Sequence, residues 1–363
     1  MLNLQYQALI GTGGIGSGIF FKLVGDHTLG REESREGELS QALDFCKLHI
    51  ILHYVAVLLG SDPKDESTFQ TIPVGRVGDD EVGREMTGLM ASAGMDVNHV
   101  KATPEAATTF SVCFQYPDAS GGNITTARSA SSLVSREDVR ELEPLCRRFG
   151  RQGMALAAPE VSLEARLELL ELAGRYGLVR FCALNSAEIN HPLGGRLLRN
   201  TEYLAINRDE AESFAGAHFD SLSPDDFLAA VAEKFSGVNP GLRLLVTVGS
   251  RGSYACQDGR WEFTPAAGVE VVSTAGAGDA SLGAVIVATA AGLPFILPGR
   301  KSRQALADQP LESAADFAAL LSSLSVTSPD TIHLGTTPAL LREHAAHLGV
   351  KLGPAVEKLL TSG

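Results

Sequence analysis

The sequence predicts an α/β fold in which a central, mostly parallel sheet carries a small β lid. Three observations predict it. From about residue 150, short apolar runs alternate with amphipathic stretches, as the βα units of a parallel sheet do. Those apolar runs lack polar–apolar alternation, as expected of strands buried on both faces. The segment Phe110 to Tyr116 instead alternates Ser111, Cys113 and Gln115 with Val112, Phe114 and Tyr116, the pattern of a half-exposed strand.

Taken in order, the N-terminal apolar run leads into the glycine-rich stretch Gly11 to Gly18, and Phe20 to Val24 leads into a polar run, DHTLGREESREGE. Cys46 to Gly60 reads as a helix packed through Leu48, Ile51, Leu52 and Val55, with His49 and His53 one turn apart. Gly121-Gly122 supplies a turn before Ile124 to Ala127, which completes the hairpin begun at Phe110. The lid strands are expected within 15–40 and 97–128. Met154 to Ala158 reads as a strand, and Ser162 caps a helix closed by Gly174. Strands are expected again at Val179 to Leu184, Tyr203 to Ile206 and Leu242 to Val248, with a helix from Asp209 to Ala215.

The chain has 363 residues, which an α/β protein can carry on one core with an appended lid, so residues 1–363 are expected to form a single domain. Hydrophobic residues at 44% and charged residues at 20% suit a folded protein, and no apolar run reaches the length of a membrane span. A net charge of -13 leaves too few Lys and Arg to neutralise a phosphate backbone, which argues against a nucleic-acid partner. Cys46, Cys113, Cys146, Cys182 and Cys256 are scattered and form no C-x-x-C pair, so free thiols are expected rather than disulfides or a zinc site. The first residues, MLNLQYQALIG, lack the basic and apolar regions of an export signal, and a cytoplasmic location is expected.

Residues 270 to 292, EVVSTAGAGDASLGAVIVATAAG, carry the chemistry. A strand ends near Val272, a turn of small residues follows, and an almost wholly apolar helix runs from Asp279 to Ala291 before Gly292 and Pro294 stop it. The start of such a helix presents unpaired N–H groups and the positive end of its dipole. Backbone N–H donors from Gly276, Ala277 and Gly278 can surround a phosphoryl group in flight without side-chain obstruction. Asp279 then reads in two ways: an acid that complements the dipole, or a base that takes a proton from an attacking hydroxyl. The short run alone does not decide between them.

The surrounding motifs do. Gly75-Arg76-Val77-Gly78-Asp79-Asp80 with Gly83, Leu89 and Gly94-Met95-Asp96 comes first, and Asn207-Arg208-Asp209-Glu210 follows. Val246-Thr247-Val248-Gly249-Ser250-Arg251-Gly252 and then Thr274 to Asp279 complete the set. In this order and spacing, over about residues 70 to 330, they resemble the PfkB family of carbohydrate and nucleoside kinases. The resemblance implies a ribokinase-like three-layer sandwich. It also implies an ATP-dependent kinase that phosphorylates a hydroxyl of a sugar-like, nucleoside or related small molecule. By it, Asp279 is the base and Gly276, Ala277 and Gly278 form the anion hole. Asn207 and Glu210 would hold Mg²⁺ near the phosphates, through waters. Thr247, Gly249 and Gly252 would lie along the nucleotide, the glycines letting backbone pass close to it. Asp79 and Asp80 read as structural turn residues. A homodimer through the lid is expected.

The first sixty residues depart from that family's pattern. Where it places a substrate-binding Asp after the first strand's glycine, this chain has Gly11 to Gly18, with Gly14 among them. The carboxylate is missing, or Asp26 supplies it from a displaced loop. The family's Gly-Gly pair and its following Asn fall on Cys46-Lys47 and Ile51. Lys47 and His53 are therefore candidates for gripping a polar or anionic substrate group, against a helix merely packed with its histidines satisfied locally. A metal at His49 and His53 would lack a clustered third ligand. Ser273 and Ala319 stand where the family commonly has Asp and Asn.

Two other functions compete. Gly11 to Gly16 loosely matches a dinucleotide fingerprint, which would make an NAD-dependent oxidoreductase, but no second strand precedes the acidic run. A catalytically silent ligand-binding protein on the kinase fold would suit the altered N-terminal region. It has no need, however, of a base.

Overall fold

The computed structural model describes residues 4–118, 121–300 and 303–361. Its strands are β1 (Ala8–Thr12), β2 (Gly16–Leu23), β3 (Gly37–Phe45), β4 (Gln70–Gly78), β5 (Val100–Thr103), β6 (Thr109–Gln115) and β7 (Gly121–Thr125). They continue with β8 (Gly153–Ala157), β9 (Val179–Ala183), β10 (Tyr203–Asn207), β11 (Arg243–Thr247), β12 (Gly252–Gln257) and β13 (Arg260–Pro265). Nine of them form one sheet in the order β13-β12-β11-β10-β9-β8-β1-β4-β5. It is parallel from β11 to β5, with β12 and β13 antiparallel at one edge.

Helices cover both faces of this sheet, and β1 shows why its sequence does not alternate. Leu9 packs into the core with the helices Lys47–Leu59, Ala277–Ala290 and Ala314–Ser325. Ala8 and Ile10 point the other way, against the helix Leu163–Tyr176. The architecture is the expected α/β one. No helix among the described residues is long and apolar enough to cross a membrane.

The other four strands form the lid, in the order β3-β2-β6-β7 with β2 and β6 parallel. Its limits differ from those read in the sequence. β5 joins the large sheet beside β4, and β3 runs on to Phe45. Gly121 and Gly122 are strand residues paired with Gln115 and Phe114 rather than a turn. A Cβ on Gly121 would lie 2.1 Å from the Phe114 carbonyl oxygen, so the close pairing itself demands glycine. Strand alternation and register put Ile19, Phe21, Leu39, Val112, Phe114 and Ile124 on one face of the lid. On it Leu39 and Ile124 are well exposed.

Other boundaries moved for local reasons. The helix capped by Ser162 passes Gly174 and ends at Gly177, whose φ of 81° makes the left-handed C-cap. The helix expected from Asp279 begins two residues earlier, at Ala277. After β1 the chain turns into lid strand β2 rather than a helix, which removes the geometry a dinucleotide fingerprint needs.

Candidate active site

The helices Lys47–Leu59 and Ala277–Ala290 lie side by side, brought close at Gly283, where a Cβ would stand 3.2 Å from the Ile51 carbonyl oxygen. Cys46 and Lys47 from the start of one, and Gly276 and Asp279 from the start of the other, line a single cavity of about 390 Å³ beneath the lid. Gly276 begins the second helix at φ 79°, and a Cβ on it would meet the Thr331 carbonyl oxygen at 2.2 Å. No other residue fits there. A Cβ on Gly278 would meet nothing within 4 Å, so this backbone is open to approach.

Asp279 is buried in the first turn of its helix, 3.3 Å from the Lys47 ammonium. Burial raises its carboxyl above the ordinary value and Lys47 opposes the rise. Lys47 is the first residue of its own helix, where the dipole repels a cation, and that first turn contains no acid. Compensation comes from carboxylates on other elements. Asp279 foremost, then Glu210 and Glu160, hold the Lys47 ammonium in its charged form against burial.

Glu160, which the sequence reading did not single out, follows β8 and faces the cavity. Its backbone is held at φ 77°, a conformation costly for a residue with a side chain. Its Oε2 is buried without a hydrogen-bond partner, and burial pushes its carboxyl up to about 7. Gly14 is the seat for this side chain, and its N–H donates to the Pro159 carbonyl at 2.9 Å. The available signal was Pro-Glu just beyond the carboxyl end of a buried strand, where open α/β sheets bind ligands. Asp44, also unforeseen, is the next-to-last residue of β3, lines the cavity wall and accepts hydrogen bonds from Ser111 and, at 3.3 Å, from the Cys113 thiol.

Asn207 and Glu210 form a reciprocal cap on the helix Arg208–Ala215: each side chain accepts from the other's backbone N–H at 2.8 Å. Burial raises the Glu210 carboxyl, and its charge is felt by Lys47. Thr247 pairs with Asn207 across β10 and β11, so the two end neighbouring strands together. Gly249 at φ 59° and Gly252 at φ 121° shape the turn after β11, and a Cβ on Gly252 would lie 2.2 Å from the Thr264 carbonyl oxygen.

Two expected substrate residues are placed elsewhere. Asp26 is exposed in the loop beyond β2 and does not line the cavity. His53 lies inside its helix, away from the cavity, and the ring nitrogens of His49 and His53 are buried without partners rather than satisfied locally. Among the described residues no group of three or more His, Cys, Asp or Glu side chains is arranged to hold a metal. Asp80 is a cap, accepting from Gly83 N, Thr108 N and Thr108 Oγ1 at 2.6 to 2.8 Å.

Comparison with known proteins adds to this geometry. The family model for pfkB family carbohydrate kinases matches residues 57–338. A ribokinase of Schizosaccharomyces pombe is 27% identical over 274 residues, which span 75% of this chain and 77% of that protein. The structure of ribokinase from Giardia lamblia matches with a TM-score of 0.75 at 18% identity, covering 94% of this chain and 99% of that one. Arabidopsis thaliana ribokinase complexed with ribose and ATP gives 0.65 at 17% identity, over 98% and 99%. At such identities the structural likeness speaks for the fold.

Proposed function

The chain belongs to the pfkB family of carbohydrate kinases, phosphotransferases with an alcohol group as acceptor, and on that premise we propose that it uses ATP to phosphorylate a hydroxyl of a sugar-like or nucleoside-like small molecule. One observation carries this reading. The Asp279 carboxylate is buried at the start of an apolar helix, opens onto a lidded cavity, and stands beside the free backbone of Gly278.

In this reading the acceptor hydroxyl lies against Asp279, which takes its proton as the oxygen attacks the γ-phosphoryl group. The N–H groups of Gly276, Ala277 and Gly278 stabilise the charge on the transferred group. Asp44 and Glu160 face the rest of the acceptor and accept hydrogen bonds from its hydroxyls, while the lid strands exclude water. The ATP bound in the Arabidopsis ribokinase supports ATP as donor. Mg²⁺, when bound, supplies neutralisation of phosphate charge. The buried Glu210 carboxylate and Asn207 suit it as partners reached through water. The apolar outer face of the lid, with Leu39 and Ile124 exposed, supports pairing of two chains through their lids.

Asp279→Asn tests the assignment. Turnover with an accepted sugar, nucleoside or polyol should fall about a thousandfold, with ATP affinity by calorimetry nearly unchanged. Full turnover in this variant, or a wild-type chain that no acceptor in such a panel stimulates, would contradict the reading and favour a silent binding protein.

A further inference from the structure

Lys47 sits where a cation gains nothing from its own helix: at the positive end of the dipole, with no acid in its first turn. It is nevertheless held in the cavity wall, its ammonium 3.3 Å from Asp279 Oδ1 and within the field of Glu160 and Glu210. Asp44 is the other carboxylate in the same wall. Both helix starts open here, so the ammonium borders the same cavity space as the Asp279 carboxylate and the Gly276 backbone.

We propose that Lys47 is a catalytic residue that transfers its electrostatic support from the Asp279 carboxylate to the migrating phosphoryl group during the reaction. This rests on the kinase reading above. As the acceptor O–H bond breaks, its proton goes to Asp279, whose charge disappears, and the pull on the ammonium with it. The acceptor oxygen forms its bond to the γ-phosphorus while the bond to the bridging oxygen breaks, and that electron pair leaves with ADP. Lys47 keeps all its protons throughout. Its positive charge is thereby released to the phosphoryl oxygens at the moment their charge must be stabilised. A lysine placed only to keep Asp279 ionised would have no such contact.

The two roles separate experimentally in Lys47→Met, with Lys47→Arg as a charge-preserving companion and thermal unfolding as a check that both variants are folded. Wild-type turnover and its loss in Asp279→Asn are established first, so that a failed kinase reading is recognised before Lys47 is tested. In Lys47→Met, kcat should fall about a hundredfold at every pH, including the alkaline plateau. The affinity for ATP relative to ADP, read by calorimetry, should fall several-fold, and Lys47→Arg should recover part of both. If Lys47→Met regains the wild-type plateau at high pH, or keeps the wild-type preference for ATP over ADP, Lys47 serves only to position Asp279 and the proposal is overturned.

Discussion

A Cβ placed on Gly14 would stand 2.4 Å from Glu160 Oε2 and 2.5 Å from Glu160 Cβ, so the glutamate is seated directly on the glycine. Glu160 adopts φ 77° and keeps Oε2 buried and unpartnered, so its pose depends on this seat.

Gly14→Ala should therefore displace Glu160 rather than pack beside it. The acceptor KM is expected to rise about tenfold, the equivalent of one lost hydrogen bond to a charged group. Overpacking should cost about 1–3 kcal/mol of stability, leaving the chain folded. Steady-state kinetics and a melting curve check both, and an unchanged KM would mean that Glu160 does not face the acceptor.

The Glu160 carboxyl, at about 7 in the folded protein against 4.5 for the ordinary group, makes stability depend on pH. Between these values the folded chain binds more protons than the unfolded one, so stability falls as pH rises. The contribution is full below 4.5 and gone above 7, a loss on the order of 3 kcal/mol. Glu160→Gln cannot titrate. Urea unfolding at pH 4.5 and 7.5 should show the wild type losing more stability than the variant over that interval.

His49 gives the opposite sign. Burial pushes it down to about 3 from 6.5, with His53 adding to the shift, and its ring nitrogens have no partners. The folded chain binds fewer protons than the unfolded one between these values, so the contribution present above 6.5 is lost on acidification. His49→Leu should be neutral or stabilising at pH 7, because it removes unsatisfied polar atoms. By pH 4.5 the wild type should have lost about 2.5 kcal/mol more than the variant. Parallel acid-unfolding curves would refute this.

Asp80 reads from the sequence as a structural turn residue, and its three hydrogen bonds tie the helix Glu81–Ser92 to Thr108. Asp80→Ala should cost about 1–3 kcal/mol. Turnover per folded molecule should stay at the wild-type value. A loss of kcat in fully folded protein would assign Asp80 a part in the chemistry.

Much of this molecule was legible residue by residue. Strands β8 to β11 announced themselves as continuous apolar runs because both their faces are covered. Asn207 and Glu210 were legible only through the family resemblance, and the reciprocal cap they form is a finding of the structure. Gly276 and Asp279 were legible because a helix start encodes its own N–H groups and dipole. Gly121 and Gly122 misled, since a strand pressed against its partner's backbone and a turn both ask for glycine.

The sequence by itself determined the alternating α/β order and the helix that places Asp279, because burial patterns and helix starts act over a few residues. Only the tertiary structure decided which side chains share a cavity. Lys47 and His53 belong to one helix, but only Lys47 stands at the end that opens beside Asp279, 232 residues away. His53 is enclosed by the packing of that same helix. Glu160 and Asp44 reach the site from β8 and β3 through contacts between elements remote in sequence, and no local pattern specifies such contacts. They exist because burying both faces of the sheet leaves the strand ends and two helix starts one common place to meet.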